Sequence, residues 1–444
     1  MPTAGAGSPR PCGITQRGRP MTTVRPPLGR PGSEPGAPEP GRGAAPAVVA
    51  VRRLFGVTDA DAMIVVGTVV FLVLFGLVMV LSSSAVISAQ ANEGDFFAVF
   101  LRQGLFALAG IPLMLVVSRI SPRFWRKHAR HAVMLGLALQ VLVFTGLGYD
   151  YGGNRNWITL FGFSAQPSEF LKLALAVWLA TVLADRANAF PDLRSVVIPA
   201  LPVSGVAIIM VLAGQDLGTA SIMIAIVLAA LFFAGAPLRW LGGMVAVLAV
   251  GAVLFATSSA SRSSRISVWL NGCAPEDYEY TCWQSVHALW ALGSGGLFGV
   301  GLGNSATKWR WLPHAENDFI FAIIGEELGL IGAVVVLALF AVLAVALMRM
   351  VRRHVDPFAR IATGAIMVWI VGQAFVNIAV VLGMLPVFGV PLPFISAGGS
   401  ALLASLLAIG VVVSLSRELP EPRLRPAMPT APPVAPRAPR RPAR

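Results

Sequence analysis

Residues 312–329 read LPHAENDFIFAIIGEELG, and the apolar character that begins at Phe319 continues to residue 348. The whole chain has 21 acidic residues, and Glu316, Asp318, Glu326 and Glu327 all fall in this stretch. About 20 consecutive apolar residues cross the hydrocarbon of a bilayer. A carboxylate at the mouth of such a run is costly to desolvate, so it needs a partner or a chemical task. Asp318 sits at that mouth and is the candidate centre.

Similar runs lie on both sides of it. Ten are of spanning length, near 61–84, 97–118, 131–149, 168–186, 195–213, 219–235, 238–258, 319–348, 361–384 and 398–416. The fifth and sixth are separated only by GQDLGT at 214–219. Over 444 residues the chain is 56% hydrophobic and 12% charged, with mean hydropathy +0.74. A soluble domain carries roughly 25% charged residues. The expectation is therefore an all-α polytopic membrane protein with about ten spans. Residues 56–417 form its membrane domain, with a large outer loop at 259–318 between the seventh and eighth spans. Residues 1–55 and 418–444 are rich in Pro, Gly, Ala and Arg and are expected to be disordered tails. About sixty residues precede the first apolar run, so no secretory signal is visible.

The net charge is +13, but its placement excludes a nucleic-acid groove. Residues 119–131 hold five Lys/Arg and no acid, residues 349–360 hold four Arg and one Asp, and both tails are basic. The alternating loop 85–96 contains Glu93, Asp95 and no base. Positive-inside then predicts two cytoplasmic termini, with 85–96, 150–167, 214–218, 259–318 and 385–397 outside. Of three cysteines, Cys12 lies in the tail, while Cys273 and Cys282 share the outer loop. An oxidising exterior permits a disulfide there, although sequence alone supplies no bridge geometry, so two free thiols remain open. No Cys/His cluster has zinc spacing.

Each chemical candidate has a plain structural alternative. Asp318 is placed to act as a general base toward a sugar hydroxyl; alternatively Asn317 or Asp318 caps the following helix. Glu326 and Glu327 read as a packing ion pair or hydrogen bond within the span. The glycine string GSGGLFGVGLGNS at 293–305 fails the Walker A pattern, because Lys308 has no preceding Gly and no following Ser/Thr. It reads instead as backbone that re-enters the protein near the membrane. Arg155 and Lys172 are candidate pyrophosphate cations, against an interfacial Arg and a snorkelling Lys that pairs with Glu169 at i,i+3. Asp216 either orients a basic group or caps the sixth span. The Pro/Gly-rich 385–400 segment reads as cavity wall, against a simple connector.

Five segments, in order, carry a resemblance: QPSEFLKL at 166–173, DLGT at 216–219, QSVHALWALGSGGLFGVGLGNS at 284–305, DFIFAIIGEELG at 318–329 and LPFISAGGS at 392–400. The sequence resembles the SEDS proteins (shape, elongation, division and sporulation) over about 60–417, and their FtsW branch more than the elongation branch. The resemblance implies a ten-span glycosyltransferase that polymerises lipid II into septal peptidoglycan, releasing undecaprenyl pyrophosphate in the plasma membrane. It implies as partners a class B penicillin-binding transpeptidase, other division proteins and membrane lipid, with no nucleic acid. By the same resemblance the essential loop aspartate falls on Asp318 and the loop lysine on Lys308. Gln166, Ser168, Glu169 and Lys172 carry the QPSEF…K motif, and Arg155 carries the Arg of R-x-W-I. Gln284, Ser285, Glu316 and Ser396 join these as substrate-binding candidates. Pyrophosphate chemistry suggests a divalent cation, Mg or Mn, held by Asp318 and Glu316, and no organic cofactor. Glu316 stands where the family usually has histidine, and it is expected to raise the Asp318 pKa by like-charge repulsion. A lipid II flippase and a non-enzymatic scaffold are the two competing readings.

Overall fold

The computed structural model describes residues 59–419, apart from 92, 152–153, 161–162, 187–192, 258–259, 275–277, 279–281 and 310. The expected tails, 1–55 and nearly all of 418–444, lie outside the described residues.

Every apolar run falls on a helix. In chain order these are α1 (Ala60–Ala91), α2 (Ala98–Arg119), α3 (Pro122–Leu142), α4 (Pro167–Ala184), α5 (Leu193–Ala213), α6 (Leu217–Ala234) and α7 (Leu238–Thr257). After them come α10 (Ile320–Arg353), α11 (Pro357–Val381, with a π-helical turn at Val368–Gly372) and α12 (Gly399–Ser416). The outer loop contributes α8 (Ala260–Asn271) and α9 (Trp283–Gly295). Among the described residues, seven helices are long and apolar enough to span on their own: α1, α2, α4, α6, α10, α11 and α12. The apolar parts of α5 and α7, Ala200–Ala213 and Leu238–Gly251, are shorter. The remaining expected span, α3, opens with a basic stretch.

The third run departs from its expected 131–149 limits. Its helix starts at Pro122, where a proline at the first turn needs no amide partner. It ends at Leu142, and Gly148 then folds back so tightly that a Cβ there would lie 1.8 Å from the Val143 carbonyl. Beyond it lies an antiparallel sheet absent from the all-α expectation: β1 (Gly148–Tyr151), β2 (Asn154–Leu160) and β3 (Phe163–Ala165), in the order β1-β2-β3. In β2, Asn156 and Ile158 face inward and Thr159 outward, the two-residue alternation of a half-buried strand.

α4, α6 and α11 pack mutually at the centre; α12 lies along α2, α10 along α1 and α3 along α4. Ion pairs fasten the end that carries the basic loops. Arg353 at the foot of α10 meets Asp59 (2.6 Å) and Asp61 (3.1 Å) at the start of α1. At the opposite end gather the sheet, Asp216, residues 316–318 and the 385–400 segment, joined by the hydrogen bonds described next.

Candidate active site

Asp318 precedes α10 in a turn fixed by its main chain. Asn377 of α11 donates from Nδ2 to the carbonyls of Asp318 and Val390, each at 2.7 Å. Ser396 Oγ donates to the Asn317 carbonyl at 2.5 Å and accepts from the Leu392 amide at 2.8 Å. The Ala397 amide donates to the Glu316 carbonyl at 2.9 Å. Gln103 of α2 grips the same segment from behind, donating to Ser396 O and accepting from Gly398 N, both at 3.1 Å. The Pro/Gly-rich 385–400 segment is therefore the bed on which the Asp318 turn lies.

The carboxylate itself is treated differently. Among the described residues nothing donates a hydrogen bond to it, and a Cβ on Gly389 would lie 3.5 Å from its Oδ2. The capping alternative is not realised: Phe319 occupies the N-cap, with no side-chain cap bond. Burial raises the Asp318 pKa from 3.8 to about 6. His314 pulls it down, while Glu316 and Asp216 push it further up. The expected repulsion from Glu316 is present, but desolvation outweighs it. Glu316 Oε2 is buried and has no hydrogen-bond partner among the described residues.

Beside this turn lies a polar deck. Asp216 caps α6 by accepting from the Thr219 amide at 2.9 Å. Its other oxygen accepts from Asn156 of β2 and from Gln166, both at 2.9 Å. Gln166 also donates its amide to Ser400 Oγ at 3.3 Å, which ties the head of α4 to α12. The neighbouring Ser168 is fully buried, and its hydroxyl has no partner among the described residues.

The three nominated cations turn inward. Lys172 is 1% exposed, sits 2.9 Å from Glu169 and donates to Gln373 of α11 at 3.0 Å, under the Trp369 ring. The i,i+3 pair is thus present, and the snorkelling alternative is not. Arg155 donates to the carbonyls of Val143 (3.1 Å) and Thr145 (3.0 Å), closing the base of the sheet. Lys308 donates to the Gly303 carbonyl and lies 3.8 Å from Glu327.

Glu326 and Glu327 do fix packing, through a broken helix. α10 departs from helical geometry at Gly329 (φ 67°, ψ −165°). The glycine string enters the gap. Val300 N and Gly301 N bond the carbonyls of Glu326 and Glu327 at 3.0 and 3.1 Å, and the amides of Leu330 and Ile331 bond Gly296 O and Leu297 O at 2.9 and 3.3 Å. The groups that a helix break orphans are thereby satisfied. Only glycine fits such an approach, since a Cβ on Gly299 would lie 2.2 Å from Glu327 O. The Glu326 carboxylate then collects Ser305 (2.5 Å), the Ala306 amide (2.9 Å) and Thr307, while Ser82 of α1 donates to Glu327 at 2.6 Å.

Gln284 and Ser285 line a separate cleft of about 180 Å³, with Arg265, Trp269 and Val387. Cys273 and Cys282 are disulfide-bonded on its wall, with Cα atoms 5.9 Å apart. The sequence reading did not single out Asn377, Gln103, Asn156 or Gln373; a carboxamide inside an apolar run, as at Gln103, Gln373 and Asn377, signals a buried partner but does not name it. No group of three or more His, Cys, Asp or Glu side chains among the described residues is placed to hold a metal ion.

A family model described as "cell cycle protein", covering FtsW, RodA and SpoVE, matches residues 62–421. The chain belongs to the FtsW, RodA and SpoVE family. Within that family it is 41% identical over 360 residues to the "Probable peptidoglycan glycosyltransferase FtsW" of Mycobacterium tuberculosis, covering 81% of this chain and 68% of the relative. It is 36% identical to the stage V sporulation protein E of Bacillus subtilis, covering 81% of this chain and 98% of that one. The RodA structure from Thermus thermophilus superposes with TM-score 0.58 at 27% identity, over 80% of this chain and 96% of that chain. A chain of a peptidoglycan synthase complex shares the fold at TM-score 0.65 and 24% identity, over 80% of this chain and 96% of that one. The family match therefore runs along the whole membrane domain, residues 62–421, a range that contains the Asp318 turn.

Proposed function

We propose that the chain is a peptidoglycan glycosyltransferase of the FtsW type, which polymerises lipid II on the outer face of the plasma membrane during septal wall synthesis. One observation carries this reading: a carboxylate with no hydrogen-bond donor among the described residues, its main chain clamped from α11 and from 396–397, its pKa lifted to about 6. A general base works best when its pKa approaches the working pH and its lone pairs are free for the incoming hydroxyl.

In this reading Asp318 takes the proton from the 4-hydroxyl of the acceptor N-acetylglucosamine. That oxygen bonds to the anomeric carbon of the donor N-acetylmuramic acid as the carbon–oxygen bond to undecaprenyl pyrophosphate breaks. The linkage inverts from α to β in one displacement. Of the three nominated cations, Lys308 is the candidate to meet the departing charge. Its contact with Glu327 is long, and Glu327 keeps Ser82 if the lysine moves. A magnesium-type cation is commonly held by one or two carboxylates plus phosphate oxygens. Asp318 and Glu316, whose Oε2 has no hydrogen-bond partner among the described residues, fit that donor set. A bound cation would supply charge stabilisation to the pyrophosphate. A class B penicillin-binding transpeptidase is the proposed partner, and both termini are proposed to be cytoplasmic.

The test is glycan-strand formation from purified lipid II by the full chain with its cognate transpeptidase. Wild type is expected to polymerise and Asp318→Asn to fail while remaining folded. Equal product from both would remove Asp318 from the chemistry. No product from a folded, partnered wild type would remove the glycosyltransferase reading altogether.

A further inference from the structure

The basic opening of α3 carries a pattern that loop charge alone does not explain. Arg123, Arg126, Lys127 and Arg130 follow the spacing i, i+3, i+4, i+7, so they share one helix face, and all four are exposed. The same face continues as Met134 and Val141, 60% and 51% exposed, the apolar surface of a lipid-facing helix. Phe124 flanks the cations and is also exposed. The stripe thus changes from cationic to apolar along a single helix face, in the order of a phospholipid's headgroup and acyl chain.

Length sharpens the point. From Arg130 to the end of α3 at Leu142 the helix rises roughly 18 Å, well short of the roughly 30 Å hydrocarbon thickness. Beyond Leu142 the chain turns into the sheet. Lys127 and Arg130 therefore lie at a depth where cations either snorkel or draw phosphate toward themselves. The site is held rigidly. Trp125 Nε1 donates to Ser414 Oγ of α12 at 3.2 Å, and Ser414 Oγ donates to Ile120 O at 2.7 Å. Among the described residues the acid paired with the stripe is Asp185, on Arg126. Arg417 adds a cation from α12, bonding the Arg119 carbonyl at 3.0 Å, with Glu418 beside it in sequence.

We infer that this face of α3 is a binding site for an anionic phospholipid, its phosphate on Arg123, Lys127 and Arg130 and an acyl chain along Met134 and Val141. The occupant follows from charge complementarity at the headgroup together with apolar continuity below it. Juxtamembrane cations attract anionic lipid headgroups, and the attraction grows with each added Lys or Arg near the surface.

The experiment is native mass spectrometry of the delipidated full chain, titrated separately with phosphatidylglycerol and phosphatidylcholine. Wild type is expected to retain phosphatidylglycerol selectively. The triple variant R123Q/K127Q/R130Q is expected to bind it at least about tenfold more weakly, while R123K/R130K keeps the selectivity. Arg102→Gln, a cation at the other end of α2, should change nothing. If the triple variant does not fold, Lys127→Gln alone should still weaken binding measurably. Equal retention of the two lipids by wild type, or undiminished selectivity in the folded triple variant, would overturn the inference.

Discussion

Asn377, inside α11, donates a 2.7 Å hydrogen bond to the main-chain carbonyl of Asp318, two residues before α10 begins. The same amide holds Val390 O, so one side chain sets both the Asp318 turn and the segment facing it. Asn377→Ala would remove the side-chain donor from two carbonyls, at about 1–3 kcal/mol each where they stay buried. The expected outcome is a kcat loss of about tenfold or more in the lipid II assay. The charged groups that shift the Asp318 pKa, His314, Glu316 and Asp216, all remain, so the acid limb of the pH profile should move far less than the rate.

The acid limb of that pH profile is the next expectation. Asp318 must be ionised to accept a proton, so activity should rise as pH increases through about 6. Glu316→Gln removes a neighbouring negative charge and should move the limb to lower pH. His314→Ala removes the group that lowers the Asp318 pKa and should move it higher. A profile flat between pH 5 and 7 in all three proteins, on the order of the window set by these shifts, would contradict the assignment.

Stability should move the opposite way from activity. A carboxyl whose folded pKa lies above its unfolded value of 3.8 favours folding when protonated. That contribution is fully present below pH 3.8, is lost as pH rises to about 6, and stays absent above it. Asp318→Asn removes the penalty, so above pH 6 the variant should be more stable than wild type. With partial exposure discounted, the gain is on the order of 1–3 kcal/mol. It is readable as a higher Tm at pH 7.5 that converges with wild type in acid. An inactive variant that is also destabilised at neutral pH would point to a structural role.

Gly299→Ala should prevent correct assembly of the α10 break. Its Cβ would collide with the Glu327 carbonyl, and its φ of 82° is one that alanine rarely adopts. A loss of more than about 2 kcal/mol is expected. Gly67→Ala, in α1 with open space around it, is the contrast and should be neutral or mildly stabilising. Equal thermal stability of the two variants would show that the glycine string is not packed in the gap.

Lys172→Met should destabilise by about 3–5 kcal/mol, since it leaves Glu169 buried without its cation. The double variant Glu169→Gln, Lys172→Met should recover part of the loss. Gel-filtration homogeneity in mild detergent would report both outcomes.

Most of the architecture was legible because bilayer thickness sets helix length, and apolar runs of that length are visible without knowing what packs on what. The run at 319–348 and the helix Ile320–Arg353 agree closely for that reason. The third run was misplaced because Arg130 and His131 look like a loop to a hydropathy reading, yet nothing in Pro122–Leu142 opposes a helix. The sheet was missed because its strands are short and carry little alternation of apolar and polar residues, and one of its anchors, the Arg155 amide donating to Gly214 O, lies 59 residues away in sequence. Asp318 could be singled out from its position alone. Its positioning group, Asn377, could not, since a lone carboxamide in a span has many possible partners until α11 is placed beside α10.

Gly329 gives α10 a joint. Above it, Ile320–Leu328 is tied to the glycine string and to Ser82; below it, the remaining turns run down to Arg353 and its clasp on Asp59 and Asp61. A straight rod would carry any tilt imposed near Asp318 directly to the opposite leaflet. A rod cut at Gly329 divides that path, with the upper segment held by the glycine string and Ser82 and the lower one by Asp59 and Asp61.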